Sequence, residues 1–312
     1  MNIQNSDIII HYIKKKNKYR KLVSYRSNDC DLRKKHTMIN NFLNAHFIPS
    51  KFAKGYVKKR SIYHNALTHM YNDYFIMLDI KDFFSHICHK QLVNKLYYEL
   101  NSMKKNQINM KECNDIIESC SVSSRGLPLG FITSPVLSNI YMKEFDCVFY
   151  GNLKKLNIDK VLYTRYVDDM VISFKYPLKG KNLEIESVII ELASSLLKKY
   201  GLQINKKKTR SYNLNTSNHV RITGINIIKS DSNYRYLSVG RTEKNKLFWD
   251  SIKCFKTPEN RREFNIIEHI KGMQSFILSI EKEDYEDCFS DSMHQYIHSL
   301  GFKTLKELID SL

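Results

Sequence analysis

Residues 163–174 read Tyr-Thr-Arg-Tyr-Val-Asp-Asp-Met-Val-Ile-Ser-Phe, and the side chains best suited to chemistry here are the adjacent carboxylates of Asp168 and Asp169. β-Branched and aromatic residues flank the acids on both sides, the pattern of two short strands joined by a tight turn. Acids side by side at a hairpin tip repel one another, and no basic residue lies within the turn itself, so a cation from outside is the expected compensation. Asp-Asp is also common turn chemistry and by itself proves little. A third acid adds to it: Tyr-Phe-Ile-Met-Leu-Asp-Ile at 74–80 is an apolar run of strand length that ends by presenting Asp79, followed by Lys81-Asp82-Phe83-Phe84. If the two elements are neighbours in one antiparallel sheet, three carboxylates converge. Hard, octahedral Mg²⁺ needs such a set when waters and substrate phosphates supply its other ligands.

The elements that must hold these acids belong to a chain of 312 residues, enough for two or three subdomains around a substantial core. Lys and Arg number 50 against 32 Asp and Glu, a net charge of +18 that points to nucleic acid. An acidic membrane surface would also suit that charge. No apolar run approaches membrane-spanning length, however, and the first residues lack the charged-then-apolar order of a signal peptide, so a cytoplasmic protein without a membrane partner is expected. The seven cysteines, Cys30, Cys88, Cys113, Cys120, Cys147, Cys254 and Cys288, contain no C-x-x-C pair. Neither a disulfide framework nor a zinc site is expected of them. With 5 Pro, 10 Gly and no visible repeat, the subdomains should be continuous and packed together.

Residues 1–60 are dense in charge, with Lys14-Lys15-Lys16, Lys18, Arg20, Lys21, Arg26, Arg33-Lys34-Lys35, Lys51, Lys54 and Lys58-Lys59-Arg60. Aromatic residues from Tyr12 to Tyr56 are interleaved among them, which suits a surface that holds phosphates while stacking bases; a solvated basic face is the alternative. A strand is expected over 19–25 and a helix over 31–45 with Asp31 near its N-cap. Residues 91–120 read as polar helix without legible function. The turn-rich stretch 123–135 runs into a helix with Ser134 as N-cap, Pro135 as first helical residue and Val136, Leu137, Ile140, Tyr141 and Phe145 as apolar face. Backbone N–H groups at that helix start could face a triphosphate or a template, or simply cap the helix. An amphipathic helix follows through Ile185, Val188, Ile189, Leu192 and Leu196, stopped by Gly201. Then come a short strand with the cluster Lys206-Lys207-Lys208, and a further strand over 221–228. A lysine beside acids of this kind can act on a pyrophosphate leaving group, though solvated lysines explain the run as well. From 244 to 312 the pattern is helical, with Ile266, Ile270, Met273, Ile277 and Ile280 marking one face.

Four stretches taken together resemble the successive palm motifs of reverse transcriptases, in order: Leu-Asp-Ile-Lys-Asp-Phe-Phe around Asp79, Gly-Leu-Pro-x-Gly-x-x-Thr-Ser-Pro-x-Leu-Ser-Asn at 126–139, Tyr-Val-Asp-Asp at 166–169, and Gly-Leu-x-Ile-Asn-x-x-Lys-Thr at 201–209. Asn-Ala-Leu-Thr-His at 65–69 and Ile-Thr-Gly at 222–224 resemble the signatures of the bacterial retron type. The resemblance covers roughly residues 15–240. It implies an α+β right-hand polymerase fold: amino-terminal region and fingers over 1–70, the first catalytic palm strand over 71–90, a fingers insertion over 91–125, palm over 126–235 and helical thumb over 236–312.

The same resemblance implies roles. Asp79, Asp168 and Asp169, with the Ile80 carbonyl, would bind two Mg²⁺ ions, one acting on the primer hydroxyl and one on the triphosphate and departing pyrophosphate. Phe84 would exclude a ribose 2′-OH, Tyr166 would lie along the primer end, and Lys208 would donate a proton or contact phosphate. Leu129 and Gly130 would border the nucleotide, and Arg20 and Lys21 would grip its triphosphate. Asn65, His69, Thr223 and Gly224 would recognise RNA, although a helix cap and a half-buried histidine would equally explain Asn65 and His69. The implied partners are a cognate structured non-coding RNA, dNTPs, the RNA-linked DNA product (msDNA) and an anti-phage effector. Two departures stand out: Leu129 replaces the usual Gln, and Phe131-Ile132 replaces a frequent Ala-Pro. Leucine cannot hydrogen-bond the nucleotide, which touches fidelity and template dependence. The rival readings are another phage-defence or intron-derived reverse transcriptase, and a catalytically idle scaffold that only binds RNA.

Overall fold

The computed structural model describes residues 7–15, 18–102, 108–175 and 182–312; Lys16 of the basic run and the polar stretch 103–107 lie outside them. Two compact units emerge, residues 1–65 with 72–213, and residues 66–71 with 214–312. The boundary at 213 precedes residue 235, where the palm is expected to end.

In the first unit, an antiparallel hairpin of β1 (Ile8–Lys15) and β2 (Lys18–Tyr25) leads into α1 (Asp31–His46). β1 is not anticipated by the sequence reading. Asp31 opens α1 from within its first turn, and the cap position is Cys30, which supplies no side-chain cap. Helix α2 (Ile62–His69) begins in this unit and is followed by β3 (Tyr74–Asp79), the four-residue α3 (Phe83–His86), α4 (His89–Asn101) and α5 (Met110–Ser119). The long α6 (Ser134–Lys155) carries the expected apolar face, buried throughout at Val136, Leu137, Ile140, Tyr141 and Phe145. Its cap differs from expectation. Thr133 occupies the N-cap position and Ser134 turns back to donate to the Pro128 carbonyl at 2.6 Å, locking the preceding turn.

Strands β4 (Leu162–Tyr166) and β5 (Asp169–Phe174) form the expected hairpin. Helix α7 (Asn182–Lys199) follows, ended by Gly201 at φ +67°, and then β6 (Arg210–Asn213). The sheet order is β4-β5-β3-β6, all antiparallel. Residues of α1, α4, α5, α6 and α7 share one apolar core with β3, β4 and β5. β3 lies between β5 and β6, buried at Phe75, Ile76 and Leu78, and its pairing with β5 sets Asp79 at the strand end opposite Asp169.

In the second unit, β7 (His219–Ile222), β8 (Ile225–Lys229) and β9 (Arg235–Ser238) form an antiparallel meander, followed by α8 (Arg241–Lys256), α9 (Phe264–Glu281), α10 (Asp291–Ser299) and α11 (Leu305–Asp310). The single strand expected over 221–228 is thus two strands, reversed at Thr223 (φ +46°) and Gly224 (φ +96°). Positive φ at both central residues is the twist-matched two-residue hairpin turn, and β-branched Thr in the first position hides it from propensity. Ile270, Ile277 and Ile280 of α9 are buried, while Ile266 is exposed. The buried Lys244 donates to Glu281 at 2.7 Å, and the other Glu281 oxygen accepts from Ser238 and the Val239 N–H, tying the β9–α8 junction to α9. No helix among the described residues is long and apolar enough to cross a membrane.

Candidate active site

The acids sit where strand pairing puts them. Asp79 faces Asp169 across the β3–β5 ladder, Tyr166 faces Asp169 across β4–β5, and Asp168 lies in the turn, its carbonyl accepting from the Ile80 N–H at 3.0 Å. That turn is strained. Val167 adopts φ +62°, rare for a β-branched residue, and is buried. What holds it is a pair of charges from different elements. Arg165, fully buried, makes two bonds to the buried Asp146 of α6 at 2.8 and 2.9 Å, and donates to the Val167 carbonyl at 3.0 Å and to Asn139 at 3.2 Å. Tyr163 donates to the same carboxylate at 2.8 Å. Burial beside Asp146 pushes the Tyr163 phenol well above its ordinary pKa.

Asp79 is held on both carboxylate oxygens. Lys208 Nζ approaches Oδ2 at 2.5 Å, and Asn205 Nδ2 donates to Oδ1 at 3.0 Å. The backbone repeats the grip: Asn205 N–H donates to the Asp79 carbonyl and Lys81 N–H to the Gln203 carbonyl, around the Ile80–Ile204 bridge. The bond to Asp79 holds the Lys208 ammonium above its ordinary pKa, against burial. Burial raises the Asp168 carboxyl, and the charge of Asp79 acts in the same direction, opposed by Lys208 and Arg20.

A cavity of about 560 Å³ opens against these groups. Its wall includes Arg20, Lys21, Asp79, Ile80, Phe84, Leu129, Asp168 and Lys208 among the residues singled out from the sequence, together with Tyr19, Asp82, Phe83, Ser85 and Asn205. Asp169, Tyr166 and Gly130 do not line it. Gly130 instead seats β2: at φ +111° its missing Cβ would fall 2.3 Å from the Val23 carbonyl oxygen, while Val23 N–H donates to the Leu129 carbonyl at 2.8 Å. The substitution at 131–132 has a physical reason too. Phe131 stacks on Tyr25 with centroids 5.2 Å apart, and the Ile132 N–H, which proline would lack, donates to the Tyr25 hydroxyl at 3.1 Å.

The expected RNA-recognition residues are not gathered at this cavity. Asn65 is buried and accepts from Thr164 at 2.6 Å, and His69 is buried as well, so in this arrangement neither presents its side chain to solvent. Thr223 and Gly224 form the β7–β8 turn of the second unit. Sequence reasoning passed over Asn205, Asp82 and the Arg165–Asp146 pair. Asn205 and Asp82 stand inside the motif stretches and carry that signal, whereas nothing in the spacing of residues 146 and 165 joins them.

Hard oxygen donors at converging strand ends fit a divalent ion of the Mg²⁺ kind. No cluster of three or more His, Cys, Asp or Glu side chains poised around one ion occurs among the described residues, and both Asp79 oxygens are engaged by Lys208 and Asn205.

The family model for reverse transcriptase (RNA-dependent DNA polymerase) matches residues 13–240. The chain belongs to this family. Curated proteins similar to it include retron enzymes. The retron Ec73 reverse transcriptase of Escherichia coli is 31% identical over 161 residues, covering 50% of this chain and 49% of that protein. The retron Ec86 reverse transcriptase of Escherichia coli is 26% identical over 239 residues, covering 76% and 65%. The chain therefore spans about half to two thirds of the length of those relatives. Among solved structures, telomerase from Candida tropicalis in complex with a fragment of telomeric RNA superimposes with a TM-score of 0.52 at 13% identity, over 98% of this chain and 58% of that one. That likeness shows the fold, the α+β right-hand polymerase class expected from the motifs.

Proposed function

We propose that this chain is an Mg²⁺-dependent RNA-directed DNA polymerase of the retron type, which copies a cognate structured non-coding RNA into RNA-linked single-stranded DNA (msDNA) within an anti-phage system. The observation that carries the reading is the cavity in which Asp79 and Asp168 meet Arg20, Lys21 and Lys208. Carboxylates and cations around one space suit a polyanionic substrate that reacts at a phosphorus atom. Asp79, Asp168 and Asp169, with the Ile80 carbonyl, would hold two ions, which supply activation of the primer hydroxyl and charge for the triphosphate. Arg20 and Lys21 would take the phosphates electrostatically. As the primer oxygen bonds to the α-phosphorus and the bond to pyrophosphate breaks, the protonated Lys208 would give its proton to the leaving group. Phe84 would close the ribose side, Tyr166 would carry the primer end, and Leu129 would offer the nucleotide only apolar contact.

The division into fingers, palm and thumb belongs to this proposal, as do a cytoplasmic location, dNTPs, the RNA and an effector protein from the same operon. The test is to purify the protein from its native locus and to treat the nucleic acid bound to it separately with RNase, DNase and debranching enzyme before sequencing. One DNA species of defined sequence, joined to RNA and missing from Asp169→Asn, is the expected result. RNA without DNA would mean a scaffold, and heterogeneous or untemplated DNA a different defence polymerase.

A further inference from the structure

Residues 52–56 run beside β4 on the edge of the sheet away from β3. Arg165 N–H donates to the Phe52 carbonyl at 2.9 Å, Lys54 N–H to the Arg165 carbonyl at 2.8 Å, and Ala53 bridges Arg165 in parallel. Gly55 then passes directly under the catalytic turn: a Cβ there would lie 2.8 Å from Val167 Cγ2 and 3.0 Å from the Val167 nitrogen. Asn139 donates to the Gly55 carbonyl at 3.0 Å, and Arg60 to the carbonyls of Ser50 and Ala53 at 2.7 Å each, so the loop is held from both ends. Out of this clamp comes Tyr56, in the left-handed conformation at φ +58° and 55% exposed. A non-glycine residue kept in that conformation by surrounding bonds, with about half of its surface still exposed, is poorly explained by packing alone. Its surroundings are the site: burial raises the phenol pKa, and the next contributions come from Tyr166 and Asp168, opposed by Arg20.

The cavity with Arg20, Lys21 and Lys208 lies on the β3 side of the turn, and neither Tyr56 nor Tyr166 lines it. A polymerase needs two substrates at one set of acids, so the side opposite the nucleotide is left for the strand being extended. Resting on the polymerase reading above, we infer that Tyr56 is a substrate-contacting residue that stacks on the terminal nucleotide of the primer and, with Tyr166, aligns its hydroxyl with Asp168 and Asp169. Exposed Lys58 and Lys59 beside it suit the adjoining phosphates.

The experiment uses the full chain with an RNA template and a DNA primer carrying 2-aminopurine at its 3′ terminus. Wild type and Tyr56→Phe should quench the terminal fluorophore, and Tyr56→Ala should not. In steady state, Tyr56→Ala should raise KM for primer–template about tenfold, the worth of one aromatic–base stack, and leave KM for dNTP unchanged. Tyr56→Phe should restore the wild-type value. Thermal melting checks that the variants fold; should Tyr56→Ala fail, Tyr56→Leu keeps the bulk without the aromatic face and carries the same expectation. Unaltered quenching in the non-aromatic variant, or a rise in KM for dNTP alone, would overturn the assignment of Tyr56 while leaving the polymerase reading intact. Absence of any primer extension by wild type would sink the polymerase reading itself, and this inference with it.

Discussion

Arg165 and Asp146 illustrate how the shape of a strained turn is decided by residues buried away from the surface. Both side chains are wholly buried, so each charge is tolerable only because the other is present. Asn139, Tyr163 and the Val167 carbonyl make further bonds with this pair, and the strained backbone at Val167 is held by this network. Asp146→Ala leaves Arg165 buried without its counter-charge. The expected cost is about 3–5 kcal/mol, read as a drop in the urea midpoint, with loss of polymerisation in whatever fraction still folds. Replacing both partners together, Arg165→Met with Asp146→Leu, should cost less than the single change, because no lone charge remains; a double variant as damaged as Asp146→Ala would show that hydrogen-bond geometry, and not charge, governs the turn.

Elements were legible where their side-chain period was regular and illegible where tertiary bonds override it. β3, β4 and β5 are legible by composition instead, an apolar run ending in Asp79 and β-branched and aromatic residues flanking Asp168 and Asp169, so the meeting of Asp79 with Asp169 follows from sequence plus one assumption of adjacency. β1 was missed because Ile8, Ile9 and Ile10 followed by His11 give no alternation, and it pairs with β2 on a largely exposed hairpin. The attachment of that hairpin was equally hidden, since it depends on a hydrogen-bond chain through three elements and the turn before α6. His36 of α1 must donate from Nε2 to the Ser119 carbonyl at 2.7 Å, which leaves Nδ1 to accept from the Tyr25 hydroxyl at 2.8 Å; that hydroxyl in turn accepts from the Ile132 N–H. A neutral imidazole completes this chain, and burial lowers the His36 pKa below its ordinary 6.5. A histidine with a depressed folded pKa contributes stability that is complete above the unfolded value and is lost as pH falls below it, because the unfolded chain takes the proton first. Unfolding free energy should therefore fall between pH 7 and 5.5, by at most about 1.4 kcal/mol per pH unit from this group. The decline should be shallower in His36→Gln than in wild type, and equal slopes in the two proteins would deny the neutral relay.

At the scale of the whole molecule, the excess of 18 positive charges sets behaviour that no single contact determines. If the chain binds RNA as proposed, its affinity should come largely from releasing counterions, and the gain should shrink as salt rises. If about 6–10 phosphates are neutralised, the logarithm of the RNA association constant should fall linearly with the logarithm of salt concentration, with a slope of about −4 to −9 depending on how much of the RNA is duplex. Filter binding between 50 and 200 mM salt, about the range over which such complexes lose 10³ to 10⁵ in affinity, measures it. The basic residues are not interchangeable in this test. Lys58→Gln removes a solvated charge and should reduce the slope by about 0.7–0.9, with equal loss on any RNA. Lys208→Gln removes a cation already bonded to Asp79, and its effect on RNA affinity should be smaller, its consequence appearing in the rate of nucleotide addition. A slope near zero, with binding retained at high salt, would mean that the charge serves something other than phosphate contact and that base stacking carries the RNA.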